Sequence, residues 1–138
     1  MALIIGGYSN SGDERRTWIL TKQNDNTFEI LPGPEMAESH TFHGCAFDSK
    51  KQEVIVVGGV EGTSTVEILD VGSGPIQNNA WRPGPELPED LRLYQHQLIY
   101  NPKLDNVLLI TGSNNGEEIV SVFSSYRKML GQNCQQCL

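Results

Sequence analysis

The sequence predicts an all-β chain built from a repeated antiparallel four-stranded unit, on two observations. Leu3-Ile4-Ile5-Gly6-Gly7 recurs as Ile55-Val56-Val57-Gly58-Gly59, 52 residues on, so an apolar strand twice runs into a glycine pair. Other positions keep nearly the same step: Phe28 to Trp81, His43 to His96, Phe47 to Tyr100 and Asp48 to Asn101 are each 53 apart. A period of about 50 residues marks a supersecondary unit that stacks on its own copies.

The elements follow in order. Ala2 to Gly7 reads as a buried strand, and Tyr8 to Arg16, rich in Asn, Ser, Gly and charge, as a surface connection. A second strand is expected over Thr17 to Thr21. Asp25-Asn26 turns the chain into Phe28-Glu29-Ile30-Leu31, which stops at Pro32-Gly33-Pro34 because proline cannot donate to a ladder. The next unit places strands at Thr41 to Phe47, Glu53 to Val57, Thr65 to Leu69 and, short and outermost, Ala80 to Arg82. The third repeats the order at Gln95 to Tyr100, Val107 to Ile110 and Ile119 to Phe123, with Asn115-Gly116 as its hairpin turn. Residues 2–38 thus form a unit lacking its first strand, 39–91 a complete unit and 92–124 a unit lacking its last. Residues 125–138 are a polar tail without a counterpart in the repeats.

Composition narrows the function classes. Of 138 residues, 17 are acidic and 10 basic, for a formal charge of −7, and the basic residues are scattered in ones and twos. Nucleic acid is not an expected partner, since affinity for phosphate needs clustered positive charge. Met1 to Ile5 has no charged leader region, and no apolar run reaches the ~18–20 residues of a membrane span, so neither a signal peptide nor a membrane partner is expected. Three cysteines, an odd number, fit a reducing, cytoplasmic setting.

The landmarks together resemble the kelch family. They are the glycine doublet after apolar residues, the strand Val66-Glu67-Ile68-Leu69-Asp70, an aromatic further on (Phe28, Trp81) and the exit Pro32-Gly33-Pro34-Glu35-Met36, echoed as Pro83-Gly84-Pro85-Glu86-Leu87. The likeness spans about residues 2 to 124. Its third unit departs from the pattern, with Thr111-Gly112 in place of two glycines, and Leu69 and Phe123 stand where the family usually has tyrosine. The resemblance implies a partial kelch-type β-propeller of about 2.7 blades, not closed. It also implies a non-catalytic protein-binding module, a fragment of or homologous to the substrate-adaptor and scaffold propellers that serve ubiquitin ligases. Gly6, Gly7, Gly58, Gly59 and Gly112 would then be structural, giving positive φ and close backbone approach. Phe28 and Trp81 would pack between neighbouring sheets.

Propellers close with four to eight blades. An uncovered blade face of roughly five to eight apolar side chains forfeits on the order of 10–20 kcal/mol, as much as the net stability of an ordinary domain. The expectation is therefore self-association, or additional blades in a longer chain.

Binding is expected on the loops after the doublets, Tyr8 to Arg16, Val60 to Thr63 and Ser113 to Glu117, and on the connections Glu38 to His40 and Arg92 to Tyr94. Arg15, Arg16 and Arg92 offer guanidinium forks for a partner's carboxylates, and Tyr8, Tyr94 and Asn114 offer contact area and polar reach; the partner is a protein of unknown identity. Catalytic patterns are sparse. His40 and His43, three apart on or beside a strand, are expected to point to opposite faces, so no shared metal is expected. No Gly-X-Ser-X-Gly elbow, phosphate loop with lysine or His-Glu-X-X-His occurs. Cofactors are not expected, and Cys45, inside a strand, reads as a small buried apolar residue. Cys134-Gln135-Gln136-Cys137 has the spacing of half a zinc site or of a redox pair, but no second pair completes a zinc site, so no metal is expected and the tail reads as disordered or misread coding sequence. Two alternatives stand beside the binding module: a piece of a catalytic propeller, oxidase or sugar-modifying, and a truncated product with no function of its own.

Overall fold

The computed structural model describes residues 1–59, 65–85, 97–110 and 120–123. Its strands are β1 (Ala2–Ile5), β2 (Tyr8–Ser9), β3 (Gly12–Asp13), β4 (Thr17–Lys22), β5 (Phe28–Pro32), β6 (Gly44–Asp48), β7 (Glu53–Val57), β8 (Val66–Asp70), β9 (Arg82–Pro83), β10 (Gln97–Asn101), β11 (Asn106–Ile110) and β12 (Val120–Phe123). All pairing is antiparallel, in a first sheet β1-β4-β5, a middle sheet β6-β7-β8-β9, a third sheet β10-β11-β12 and a small hairpin β2-β3. The protein is thus all-β, with several small sheets and, among the described residues, no sheet closed on itself. No helix among those residues is long and apolar enough to cross a membrane.

The middle sheet is covered on both faces. Val54, Val56 and Leu69 pack with Ile19, Leu3, Ile5 and Trp81 against the first sheet, while Ile55, Val57, Val66 and Ile68 pack with Leu98, Val107 and Tyr100 against the third. This explains why four of the five residues of both β7 and β8 are buried without alternation, whereas β4 alternates, with Thr17 and Ile19 inward. Residues of opposite parity separate two cores.

The repeat has physical causes at several positions. Asp48 Oδ1 accepts the amides of Lys50 and Lys51 at 2.9 and 3.1 Å, and Asn101 Oδ1 accepts those of Lys103 and Leu104 at 3.0 and 3.3 Å, so both cap the same hairpin turn. Each turn then passes through a left-handed residue, Gln52 at φ 56° and Asp105 at φ 51°. In the proline-rich exits, the Gly33 amide donates to Thr17 O at 2.8 Å and the Gly84 amide to Val66 O at 2.6 Å. A Cβ on Gly84 would overlap the Val66 side chain, so that position is held to glycine by the neighbouring strand, whereas a Cβ on Gly33 would stand 3.1 Å from Thr17 Cγ2, close but less severe.

Both described doublets adopt positive φ: Gly6 56°, Gly7 110°, Gly58 65° and Gly59 151°. At Gly6 the backbone approach is closest, since a Cβ there would overlap the His40 carbonyl oxygen. Gly74 also has positive φ, 72°, but meets nothing within 4 Å. Gly74→Ala should therefore cost about 1–2 kcal/mol, the left-handed penalty alone, and Gly6→Ala clearly more. Urea midpoints of the two variants check this; equal midpoints would remove the close approach as a cause.

Three expectations need correction. Strand β6 begins at Gly44, not Thr41, because Phe42 takes φ 56° and the chain bends at Thr41 and Phe42. Phe28 does not lie between sheets: it is 65% exposed on the outer face of the first sheet. Trp81 does lie between sheets, and strand register aligns it with Ile30 instead of Phe28, since Gly33 and Gly84 make the same hydrogen bond three residues on. Cys45 is exposed. Leu98, at the matching place 53 residues on, is covered by the middle sheet, whereas no described strand lies beyond β1 to do the same for Cys45. Gly112, the Asn115-Gly116 turn and the tail with Cys134 and Cys137 lie outside the described residues.

Candidate partner-binding face

A charged residue inside an apolar strand organises this end of the molecule. Glu67, in β8, is buried on the side facing the first sheet. Its carboxylate accepts the amides of Ala37 at 2.9 Å and Glu38 at 3.0 Å, and the Nε2 of His40 at 3.0 Å. His40, also fully buried, places Nδ1 2.6 Å from the Gly58 carbonyl. Both ring nitrogens of His40 thus face acceptors of the fold, a backbone carbonyl on one side and the Glu67 carboxylate on the other. Burial pushes the Glu67 pKa up, but the bonds from His40, Ala37 and Glu38 outweigh it and hold the carboxyl below its ordinary 4.5.

The same node ties both doublet turns to the connection between the first two sheets. Gly7 N donates to His40 O at 2.8 Å, and the Thr41 hydroxyl reaches Gly7 O at 2.7 Å and the Asp13 carboxylate at 2.5 Å. Met36 N donates to Arg15 O at 2.9 Å and His40 N to Glu14 O at 3.2 Å. Tyr8 to Arg16 and Glu38 to His40, expected as one binding face, are therefore brought together, and Tyr8 to Asp13 forms the β2-β3 hairpin at its rim.

The predicted binding residues meet different fates. Tyr8 stands 77% exposed on the hairpin. Arg15 pairs with Glu35 at 3.2 Å and donates to Ala37 O at 3.2 Å. Arg16 makes a forked pair with Glu14 at 2.5 and 2.6 Å and stacks over Trp18, 5.9 Å from the ring centroid. Hydrogen bonds from Arg16 and then Ser9 hold the Glu14 carboxyl down at about 2. Both guanidinium groups thus already serve carboxylates of this chain. Arg92, Tyr94, Asn114, His96 and the loops 60–63 and 113–117 lie outside the described residues.

His40 and His43 do not point to opposite faces. Strand alternation does not apply across the bend at Phe42, and the two rings sit edge to face with centroids 6.0 Å apart. Among the described residues, no group of three or more His, Cys, Asp or Glu side chains is placed to hold a metal. The node of Glu67, His40, Thr41 and Asp13 was not singled out by sequence. Its one legible signal is a glutamate between Val66 and Ile68, at an inward position among the apolar residues of the strand. No protein-family model and no curated protein matches this chain.

Proposed function

We propose that the chain is a non-catalytic protein-interaction module of the kelch type, its sheets acting as blades and its loops at the doublet end meeting a partner protein in the cytoplasm. The observation that carries the reading is the convergence of both doublet turns and the inter-sheet connection on the buried His40–Glu67 pair, which presents the Tyr8–Asp13 hairpin from a rigid base. With Arg15 and Arg16 engaged internally, contact falls to Tyr8, whose ring adds amphipathic area at low entropic cost, and to Arg92 as the remaining guanidinium of the predicted set.

Affinity capture with three baits tests this: the chain as it stands, Tyr8→Ala and Arg92→Glu. A protein retained by the first and lost from both variants, at equal bait expression, supports the reading. The same proteins on all three baits would discard the loop face as a binding surface.

A further inference from the structure

The outer face of the first sheet is apolar, and no described strand lies against it. Register places Ile4, Trp18, Leu20, Phe28 and Ile30 on it, and Ile4, Phe28 and Ile30 are 48%, 65% and 57% exposed. The repeat shows what such a face is shaped to meet. Ile4, Leu20 and Ile30 correspond to Val56, Leu69 and Trp81 of the middle sheet, which are packed beneath Leu3, Ile5 and Ile19 of the sheet before it. At the other end, the outward face of the third sheet carries Ile99, 46% exposed, where the middle sheet has Ala46, part of the face that covers its neighbour. One end of the row therefore presents the face that is covered, and the other presents the face that covers.

We propose that a second copy of this chain completes both: the third sheet of each copy lies on the outer face of the other's first sheet. Each copy contributes three sheets, so two copies related by a two-fold axis close a ring of six, within the four to eight of closed propellers. The contact repeats one that the chain already makes twice internally, between the first and middle and between the middle and third sheets. It concerns assembly alone and stands apart from the identity of any partner at the loops.

Sedimentation equilibrium on the 138-residue chain and two variants decides it. Ile30→Arg spoils the outer face of the first sheet and Ile99→Arg that of the third; both residues are about half exposed and belong to neither buried cluster, so neither substitution opens a core, and circular dichroism verifies folding. The expected result is a mass twice the 15.3 kDa of one chain for the unaltered protein and a single-chain mass for each variant alone. An equimolar mixture of the two variants, at raised concentration, should recover the doubled mass, because one intact contact forms between the unspoiled third sheet of one and the unspoiled first sheet of the other. A folded monomer from the unaltered chain would overturn the proposal and leave the face to further sheets of a longer protein. A dimer that survives Ile99→Arg would overturn it in favour of first sheet against first sheet. Folded variants that stay monomeric when mixed, or an unaltered chain heavier than two copies, would also overturn it.

Discussion

Glu67→Leu is expected to lower stability by about 3–5 kcal/mol, because three donors lose their shared buried acceptor and each orphaned buried donor costs about 1–3 kcal/mol. The substitution leaves the fully buried His40 ring without its carboxylate and strips the Ala37 and Glu38 amides of their acceptor. Against a domain stability of about 5–15 kcal/mol, that is enough to shift a urea midpoint well outside error. Replacing both members, His40→Leu with Glu67→Leu, should recover only part of the loss, since the two amides remain orphaned at about 1–3 kcal/mol each when buried. Full recovery would show that the amides find water, and an unchanged midpoint in the single variant would remove the pair from the stabilising set.

Acid titration gives the same residue a second readout. Because the Glu67 carboxyl is held below its ordinary 4.5 in the fold, the unfolded chain takes up this proton first as pH falls. Its contribution is therefore fully present above the ordinary value and is lost as pH drops through the lower folded value. Stability of the unaltered protein should fall more steeply below about 4.5 than that of Glu67→Gln, which has no proton to take up at that site. Parallel pH profiles for the two would contradict the depressed pKa.

Trp81→Ala should cost about 3–5 kcal/mol by opening a cavity between the first and middle sheets. The indole packs onto the cluster of Leu3, Ile5, Ile19, Val56 and Leu69, and its Nε1 donates to Pro34 O at 3.0 Å and Thr17 Oγ1 at 3.2 Å. Trp81→Phe keeps most of the apolar area and gives up the hydrogen bonds, for about 1 kcal/mol. Phe28→Ala, on the uncovered face, should cost less than either in the isolated monomer, although sequence spacing makes the two aromatics look equivalent. Denaturant midpoints of the three variants, measured below the concentration at which copies associate, check the order.

Much of the strand pattern was legible because it rests on local chemistry. Prolines and glycines at 32–34 and 83–85 stop strands, Asp48 and Asn101 cap turns with their own side chains, and Gly6, Gly7, Gly58 and Gly59 take backbone angles that other residues resist. These are properties of a few consecutive residues, so they survive in the sequence as a period. The candidate site was less legible. Tyr8 to Arg16 reads as a surface connection from composition, but the pairing of Arg15 with Glu35, and of Glu67 with His40, joins residues 20 and 27 apart.

Burial could not be read at all from the residues that carry the repeat. Leu3-Ile4-Ile5 and Ile55-Val56-Val57 are the same kind of strand, yet Ile4 is 48% exposed and Val56 is 0%. Periodicity locates the strands, turns and glycine pairs, whose conformations are set by neighbours in the chain. Which face is covered depends on the sheet that lies against it, and that is a property of the stacked row: among the described residues, the middle sheet has a neighbour on both sides and the first has one.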